Sequence, residues 1–362
     1  MAGKYRAPSA WNEASELAHR SAREPDARLE LEAVYGYGGL ANLAPNVFYS
    51  SSGEVVYYTA AVGIVLDKEA QAQRFFRGHS DDIHCLALDP SRTIAATGQT
   101  ADRELGGRPF VCVWDVHSLQ ELSKLVHGKV NRVAAVGFSA DGKLLATVGC
   151  SAPQSVCVWQ WARQIPVRRL AAGGRPTAGP GAAAREDEVD DRRLFWWAST
   201  GIQPEPRDEG GQVALSHVYG VRWHPDGSGR FVTHGKAHAH LWGPGQGERQ
   251  ALNFGAEPQD VLSLLFLPGK QGIVGGMPDG SIFHWGASNR VLRSAHRGQV
   301  RSLLLRGSTL MSACTRGVIC EWDVTAPVPA LSGSRKLAGL YEGDPPPAIR
   351  ALDARPGSDI FV

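Results

Sequence analysis

The sequence predicts an all-β protein of the β-propeller class, in which four-stranded blades repeat around a central axis. The first observation is a set of five tryptophans that end strand-like runs, with successive spacings of 45, 83, 43 and 37 residues: Trp114, Trp159, Trp242, Trp285 and Trp322. The second is the aspartate that follows two of them, Asp115 and Asp323. A Trp-Asp signature with a period of roughly 40–45 residues is typical of the WD repeat, which forms one blade.

Each tryptophan closes a unit that has the same order of short apolar runs and turns. In the first unit, Ile83 to Leu88 predicts an inner strand, Thr93 to Gly98 a second and Phe110 to Trp114 a third. Alternation with period two is the pattern of a strand. The later units repeat this order, with inner strands at 133–138, 218–223, 261–267 and 300–305.

Many WD repeats also carry a Gly-His pair before the inner strand. Gly78-His79 matches in full, whereas His127 and His296 keep only the histidine, and Ser216-His217 stands in the unit of Trp242. We expect such a histidine to hydrogen-bond toward the tryptophan strand of its blade. The repeats are degenerate, so the number of blades does not follow from the signatures alone.

The spacing between Trp159 and Trp242 exceeds one repeat. The surplus falls at about 163–212, where an Ala/Gly/Pro/Arg-rich stretch is followed by an acidic run. Such a composition buries too little apolar surface to fold, so we expect a disordered insertion. The run Leu194-Phe195-Trp196-Trp197 leaves an alternative open, namely a cryptic blade or a short binding motif.

A different segment precedes the first repeat. Val-Tyr-Gly-Tyr begins at residue 34 and is followed by an apolar run from Glu54 to Leu66. This pattern resembles the HELP motif of the echinoderm microtubule-associated protein-like family, and the residues that carry the likeness are Val34, Tyr35, Gly36, Tyr37, Gly39, Val55 and Tyr57. We therefore expect a flexible N-terminal segment at 1–28, a HELP motif at 29–70 and a WD-repeat propeller at 71–362.

The resemblance implies a protein that binds tubulin or microtubules through a tandem pair of propellers. This chain departs from the family in having Gly38 after Val-Tyr-Gly-Tyr and in ending at Val362, after about one propeller. Five tryptophan-ended units, the HELP hairpins and the C-terminal fragment together predict seven blades. Because an open ring would expose unpaired strand edges, we expect Glu54 to Leu66 and Ile349 to Val362 to lie together.

Sequence motifs for catalysis or for cofactor binding are weak, and we predict that the chain is not an enzyme. Gly36 to Ala41 satisfies G-x-G-x-x-A, but Asn42 and Pro45 follow instead of the helix that pyrophosphate binding requires. His238 and His240 are the best metal candidate because residues two apart share one face of a strand, although structural histidines are the interpretation we favour. We assign no catalytic residue, no cofactor and no metal ligand.

Composition restricts the class of partner. A net charge of +2 is too low for nucleic acid binding, which requires clustered Lys and Arg. No apolar run approaches the roughly 18 residues of a membrane span, so we expect no membrane contact. Six cysteines without a CxxC pair favour a reducing, intracellular compartment.

We therefore expect tubulin or microtubules as partners, other proteins on the propeller faces, and a location in the cytoplasm and cytoskeleton. Microtubules present acidic surfaces, so basic residues predicted in exposed turns are the candidate contacts: Arg74, Arg77, Arg92, Lys143, Arg316 and Lys336. The alternative is a general protein-interaction scaffold with no affinity for tubulin.

Overall fold

The computed structural model describes residues 30–37, 45–101, 107–128, 130–150, 154–163, 194–199, 218–244, 248–255, 258–269, 272–293, 296–339 and 346–358. Contacts divide the chain into two units, Met1–Tyr35 and Gly36–Val362. In the first unit, the described residues 30–35 contain no helix or strand. Every element named below belongs to the second unit.

The described part of the second unit forms six antiparallel sheets of four strands. Sheet 1 comprises β1 (Val47–Tyr49), β2 (Val55–Thr59), β3 (Val62–Asp67) and β4 (Ala72–Phe76). Sheet 2 comprises β5 (Ile83–Leu88), β6 (Ile94–Gln99), β7 (Phe110–Asp115) and β8 (Glu121–Val126). Sheet 3 comprises β9 (Arg132–Phe138), β10 (Leu145–Cys150), β11 (Ser155–Trp159) and β12 (Leu194–Ser199).

The remaining three sheets follow the same plan. Sheet 4 comprises β13 (Val218–Trp223), β14 (Phe231–Gly235), β15 (His238–Trp242) and β16 (Arg249–Ala251). Sheet 5 comprises β17 (Ser263–Phe266), β18 (Ile273–Gly276), β19 (Ile282–Trp285) and β20 (Arg290–Leu292). Sheet 6 comprises β21 (Val300–Arg306), β22 (Thr309–Cys314), β23 (Val318–Asp323) and β24 (Ala330–Lys336).

This architecture confirms the all-β propeller fold. Strands lie in chain order within every sheet, and the five signature tryptophans stand at or next to the end of the third strands of sheets 2 to 6. The alternating apolar runs formed strands because each places one set of side chains in a core shared with the neighbouring sheet. No helix among the described residues is long and apolar enough to cross a membrane.

Neighbouring sheets are linked by a recurring backbone hydrogen bond. We call the end of a sheet that carries the turn between its first and second strands the lower end, and the opposite end the upper end. At the upper end, an amide at or just before the start of a first strand donates to a carbonyl at the turn between the second and third strands of the preceding sheet. Distances are 2.9, 2.8 and 3.1 Å for Ile83 to Ala60, Val261 to Gly235 and Val300 to Met277.

Residues 349–355 occupy the place of a seventh first strand. The amide of Ile349 donates to the carbonyl of Cys314 at 3.2 Å, which repeats the upper link on sheet 6. Further down, the amide of Leu352 donates to Ser302 Oγ at 2.9 Å. Of the predicted seventh blade, the described residues therefore provide an innermost segment and no complete sheet.

The same segment meets sheet 1 at the lower end. Asp353 accepts a hydrogen bond from the amide of Tyr49 at 2.7 Å, and its two carboxylate oxygens lie 2.5 and 2.8 Å from the guanidinium of Arg92. Arg355 pairs with Glu69 at 3.1 Å. The C-terminal segment therefore contacts the start of the propeller through Tyr49, Arg92 and Glu69. We expected Glu54 to Leu66 to make these contacts, and those residues do not form them, because β1 and not β2 or β3 is the innermost strand of sheet 1.

The HELP motif, expected at 29–70, supplies β1, β2 and β3 of sheet 1, and β4 beyond it completes the blade. Its side chains share a core with sheet 2, where the ring of Phe76 stacks on Trp114 with centroids 4.6 Å apart and planes 3° apart. Gly63 makes this approach possible, because a Cβ there would lie 3.1 Å from the Trp114 ring. The HELP motif therefore lies within the first sheet of the propeller.

One expectation is wrong in part. Leu194–Ser199 forms β12, which pairs antiparallel with β11, although it lies within the 163–212 segment for which we expected disorder. Aromatic and apolar residues favour a strand, and the outer edge of β11 offers unpaired backbone groups. Apart from residue 163 and this strand, the 163–212 segment lies outside the described residues, as do the N-terminal segment 1–28, Gly39 and His217.

Candidate functional site

The predicted signature residues meet inside the sheets as a hydrogen-bonded relay. In sheet 2, Trp114 Nε1 donates to Thr97 Oγ1 at 3.1 Å, and Thr97 Oγ1 lies 2.6 Å from His79 Nε2. His79 Nδ1 lies 2.7 Å from Gln99 Oε1, an atom that only accepts, so Nδ1 carries the proton and Nε2 accepts from the Thr97 hydroxyl. Burial lowers the pKa of His79 to about 4 and keeps the ring neutral.

Three other sheets repeat the relay. The tryptophan-to-hydroxyl distance is 2.8 Å in each, and the hydroxyl-to-histidine distances are 2.8, 2.8 and 2.7 Å, for Trp159–Thr147–His127, Trp242–Thr233–His238 and Trp322–Ser312–His296. In sheet 4 the histidine comes from the third strand, and not from the loop before the first strand as the sequence led us to expect. These donors and acceptors serve the fold and are unavailable to a partner.

Sheet 5 keeps the tryptophan without the relay. The hydroxyl position is occupied by Gly275, where a Cβ would lie 2.8 Å from the Trp285 ring. Trp285 Nε1 is buried and has no hydrogen-bond partner among the described residues. The ring is held by packing instead, with Phe254 and Phe283 centroids 5.2 and 4.6 Å from its own.

The signature aspartates shape turns. Asp115 Oδ1 accepts from the amides of His117 and Ser118 at 3.0 and 2.7 Å, and Asp323 Oδ1 accepts from the amide of Thr325 at 2.8 Å. These hydrogen bonds lower the pKa of both aspartates, the Ser118 amide being the main cause for Asp115 and the Thr325 amide for Asp323. Gly78 lies where a Cβ would meet the Phe76 ring at 2.4 Å, so its role is also one of packing.

The histidine pair that was the best metal candidate is hydrogen-bonded to itself. His238 Nδ1 and His240 Nδ1 lie 2.8 Å apart, and His238 Nε2 is engaged by Thr233. A proton between the two nitrogens leaves no pair of converging lone pairs for an ion, which favours the structural interpretation. Within the described ranges, no group of three or more His, Cys, Asp or Glu residues is placed to hold a metal.

The HELP residues are divided between the two units. Val34 and Tyr35 belong to the first unit, where Tyr35 is 93% exposed. In the second unit, Tyr37 packs edge-on against Tyr57 with centroids 6.2 Å apart and hydrogen-bonds the side chain of Asn46. Burial raises the pKa of Tyr37 to about 12. Val55 is in the core, and Gly36 has a φ of +117° that favours glycine.

Three of the six basic residues predicted to contact a partner form ion pairs with other residues of the chain. Arg74 pairs with Glu54 at 2.8 Å, and Arg92 holds Asp353. Lys143 lies 3.5 Å from the Asp141 carboxylate at the lower end, where both side chains are exposed. The first two therefore stabilise the propeller, and we do not assign them to a partner.

The other candidates are exposed at the upper end, and two of them are neighbours. Arg316 lies in the turn after β22, and Lys336 ends β24 opposite Val318. The loop before β21 brings Arg297 beside them, since a Cβ at Gly298 would lie 2.7 Å from Arg316 Cγ. We call Arg297, Arg316 and Lys336 the upper basic cluster.

The upper basic cluster is free to meet a partner. All three side chains are exposed, and none forms an ion pair or hydrogen bond within the part of the chain that the structure describes. Leu337, 38% exposed, follows Lys336 and adds apolar surface. Sequence reasoning missed Arg297, although its position directly after the relay residue His296 places it in an upper loop. Arg77 is also exposed at this end, between sheets 1 and 2.

Comparisons with known proteins agree with the fold. The HELP motif family matches residues 24–64, and the family described as WD domain, G-beta repeat matches residues 70–105 and 119–160. A chain in the crystal structure of the mitotic checkpoint complex aligns with a TM-score of 0.59 and 14% identity, covering 100% of this chain and 94% of that one. At this identity the likeness shows the fold alone.

Curated relatives match over most of this chain. Echinoderm microtubule-associated protein-like 2 of Homo sapiens is 33% identical over 303 residues, which are 80% of this chain and 40% of the relative. Echinoderm microtubule-associated protein-like 1 of Rattus norvegicus is 31% identical, with 80% and 32% covered. The 77 kDa echinoderm microtubule-associated protein of Strongylocentrotus purpuratus is 28% identical, with 77% and 36% covered. The chain thus spans 40% or less of the length of these relatives.

Proposed function

The chain carries a HELP motif and WD repeats and is a relative of the echinoderm microtubule-associated protein-like proteins, and we propose that it associates with microtubules by binding tubulin. The observation that carries the proposal is the 33% identity over 303 residues to a relative named for microtubule association. In this proposal the propeller is a binding module of the cytoskeleton in the cytoplasm and catalyses no reaction.

The upper basic cluster gives the proposal a physical basis. Microtubules present acidic surfaces, and Arg297, Arg316 and Lys336 are exposed cations without an internal counter-charge among the described residues. Complementary charge accelerates encounter and fixes orientation more than it adds affinity, and it weakens as salt screens it. Leu337 beside the cluster supplies apolar contact area that salt does not screen.

Co-sedimentation with stabilised microtubules across a salt series tests the proposal. The charge-reversed triple variant Arg297→Glu, Arg316→Glu and Lys336→Glu should bind about tenfold more weakly at low salt than the unmodified protein. The matched control carries the same charge change at three exposed residues that are not candidate contacts: Lys68→Glu, Arg290→Glu and Arg306→Glu. It should bind within about twofold of the unmodified protein.

Two results would count against the proposal. A folded sample that fails to pellet with microtubules at any salt concentration contradicts it, and the general protein-interaction scaffold then becomes the leading function. Equal losses in the two triple variants would contradict the role of the cluster, because binding would then depend on net charge alone.

A further inference from the structure

A cavity of about 410 Å³ opens at the lower end, between the first strands of the sheets. Its walls are formed by residues of β5, β9 and β13, with contributions from β17 and β21. Pro90, Ser139 and Pro225, in the lower turns of sheets 2, 3 and 4, form part of its rim. Pro90 and Pro225 are exposed, so the cavity is reached from the surface opposite the upper basic cluster.

Arg222 on β13 supplies the charge in this cavity. Among the described residues that line it, Arg222 is the one Lys, Arg, Asp or Glu. Its guanidinium forms no hydrogen bond or ion pair with any residue that the structure describes, and burial lowers its pKa while the charge of Asp353 raises it. Asp353 is bound to Arg92 at 2.5 Å, so it does not serve as a contact partner for Arg222.

The other titratable groups on the wall, His234 and Cys85, are neutral, since burial raises the pKa of the Cys85 thiol to about 12. His234 Nδ1 donates to the carbonyl of Val261 at 3.0 Å, and burial lowers the pKa of the ring to about 4. Leu86, Val136 and Leu264 provide apolar walls. At neutral pH the cavity therefore presents one positive charge surrounded by apolar side chains.

Arg222 is partly buried and, among the described residues, has the charge of Asp353 nearby but no hydrogen-bonded counter-ion. Partial loss of hydration makes such a charge less favourable, and a bound anion offsets that cost. Ligand sites of about this volume are mostly apolar with one or a few polar groups that fix orientation. We propose that the lower cavity binds the carboxylate of an Asp or Glu side chain in an extended segment of a partner protein. The guanidinium of Arg222 holds the carboxylate, and apolar residues beside it in the segment pack on the walls.

A protein segment fits the site because the rim consists of exposed turns, which leave room for chain on either side of the bound residue. The site lies at the opposite end from the upper basic cluster, so it adds a second contact to the proposed microtubule binding and does not depend on it. A propeller with two separate anion-binding ends can join two partners.

The proposal is tested with a labelled decapeptide that alternates glutamate and leucine, and with a matched peptide in which glutamine replaces glutamate. Fluorescence anisotropy should show binding of the glutamate peptide alone. Arg222→Gln should weaken binding by at least about tenfold, which corresponds to about 1.4 kcal/mol. The matched control Arg290→Gln, on the exposed strand β20, should change it less than about twofold.

The unmodified protein provides a measurement that does not depend on a variant. The glutamate peptide should raise its melting temperature and the glutamine peptide should not, because a ligand that binds only the native state stabilises it. Equal binding to Arg222→Gln and to the unmodified protein overturns the proposal, as does equal binding of the two peptides.

The two proposals fail separately. The triple variant of the upper basic cluster should bind microtubules about tenfold more weakly and keep its binding of the glutamate peptide. Arg222→Gln should keep microtubule binding and lose affinity for the peptide. Loss of peptide binding in the cluster variant with no loss in Arg222→Gln would assign the peptide to the upper end and contradict the lower site.

Discussion

Sheets 2 and 5 have the same strand order, but within the described residues the tryptophan of sheet 2 is hydrogen-bonded and that of sheet 5 is not. Trp114 in sheet 2 donates to Thr97, whose hydroxyl continues to His79, and every polar atom of that path has a partner. Trp285 in sheet 5 faces Gly275 and leaves its Nε1 buried without a partner among the described residues. The indole of a WD repeat therefore has two separable roles, one in packing and one in hydrogen bonding.

The comparison also shows how the register produces the relay. Trp114 pairs with Ala95, and the hydroxyl of Thr97 lies two residues further along the same face of β6. Trp285 pairs with Ile273, and the residue two further on is Gly275. A hydroxyl at that one position thus decides whether the tryptophan joins a network or packs alone.

Lowering the pH should cause the largest loss of stability, because it protonates the histidines of three relays together, whereas the described part of sheet 5 has no relay. Burial lowers the pKa of His79, His127 and His296 to about 4, below the usual 6.5, so protonation favours the unfolded chain. Their contribution to stability is complete above pH 6.5 and is lost as pH falls toward 4. Each ring that titrates alone should cost about 1.4 kcal/mol per pH unit in that window.

Melting temperature measured from pH 7 to pH 4 checks this. His127→Gln should reduce the slope of that curve, since one buried ring no longer titrates, and the exposed control His117→Gln should leave the slope unchanged. A slope unaffected by His127→Gln would show that carboxylate titration, and not the relays, governs acid sensitivity.

The second-largest loss of stability should follow removal of the hydroxyl of one relay. Thr97→Val keeps the shape of the side chain and leaves Trp114 Nε1 and His79 Nε2 buried without their shared partner, which should cost about 3 kcal/mol. Thr59→Val, at the end of β2 and outside any relay, should cost less than about 1 kcal/mol. Denaturant unfolding followed by circular dichroism measures both. Equal costs would mean that the relay adds nothing beyond packing.

The smallest effect should be the difference between two matched truncations. Trp114→Phe removes packing area and a hydrogen bond, whereas Trp285→Phe removes packing area alone. Trp285→Phe should therefore be less destabilising by about 1 kcal/mol, the usual net value of one hydrogen bond. The same unfolding measurement applies, and a larger loss for Trp285→Phe would contradict the division into two roles.

The sequence was sufficient for what depends on local pattern. Period-two alternation placed the inner strands of sheets 2 to 6, and Asp-Gly turns such as Asp141-Gly142 set where they end. The sequence also indicated that His79 hydrogen-bonds toward the strand that carries Trp114. It did not identify Thr97, because a hydroxyl inside a strand is distinguished only by the residue that pairs opposite it.

Features that join distant segments could be predicted less well. The sequence indicated that the two ends meet, but not that Asp353 binds Tyr49 and Arg92, because a single aspartate in a loop carries no periodic signal. The upper basic cluster assembles from a loop, a turn and a strand end, so Arg297 was overlooked. In the same way, the sequence shows Arg222 only as a polar residue in an inner strand, and its position in the cavity depends on residues from other sheets.

The contact between Asp353 and Tyr49 joins residues 304 positions apart, which sets a delay during synthesis. A ribosome that adds about 5–20 residues per second requires roughly 15–60 s to make the intervening chain. For that time β1 has no neighbour on one side, and its exposed edge is open to pairing with other nascent chains. The first sheet of the propeller is thus synthesised first, although one of its contacts forms only after most of the chain has been made.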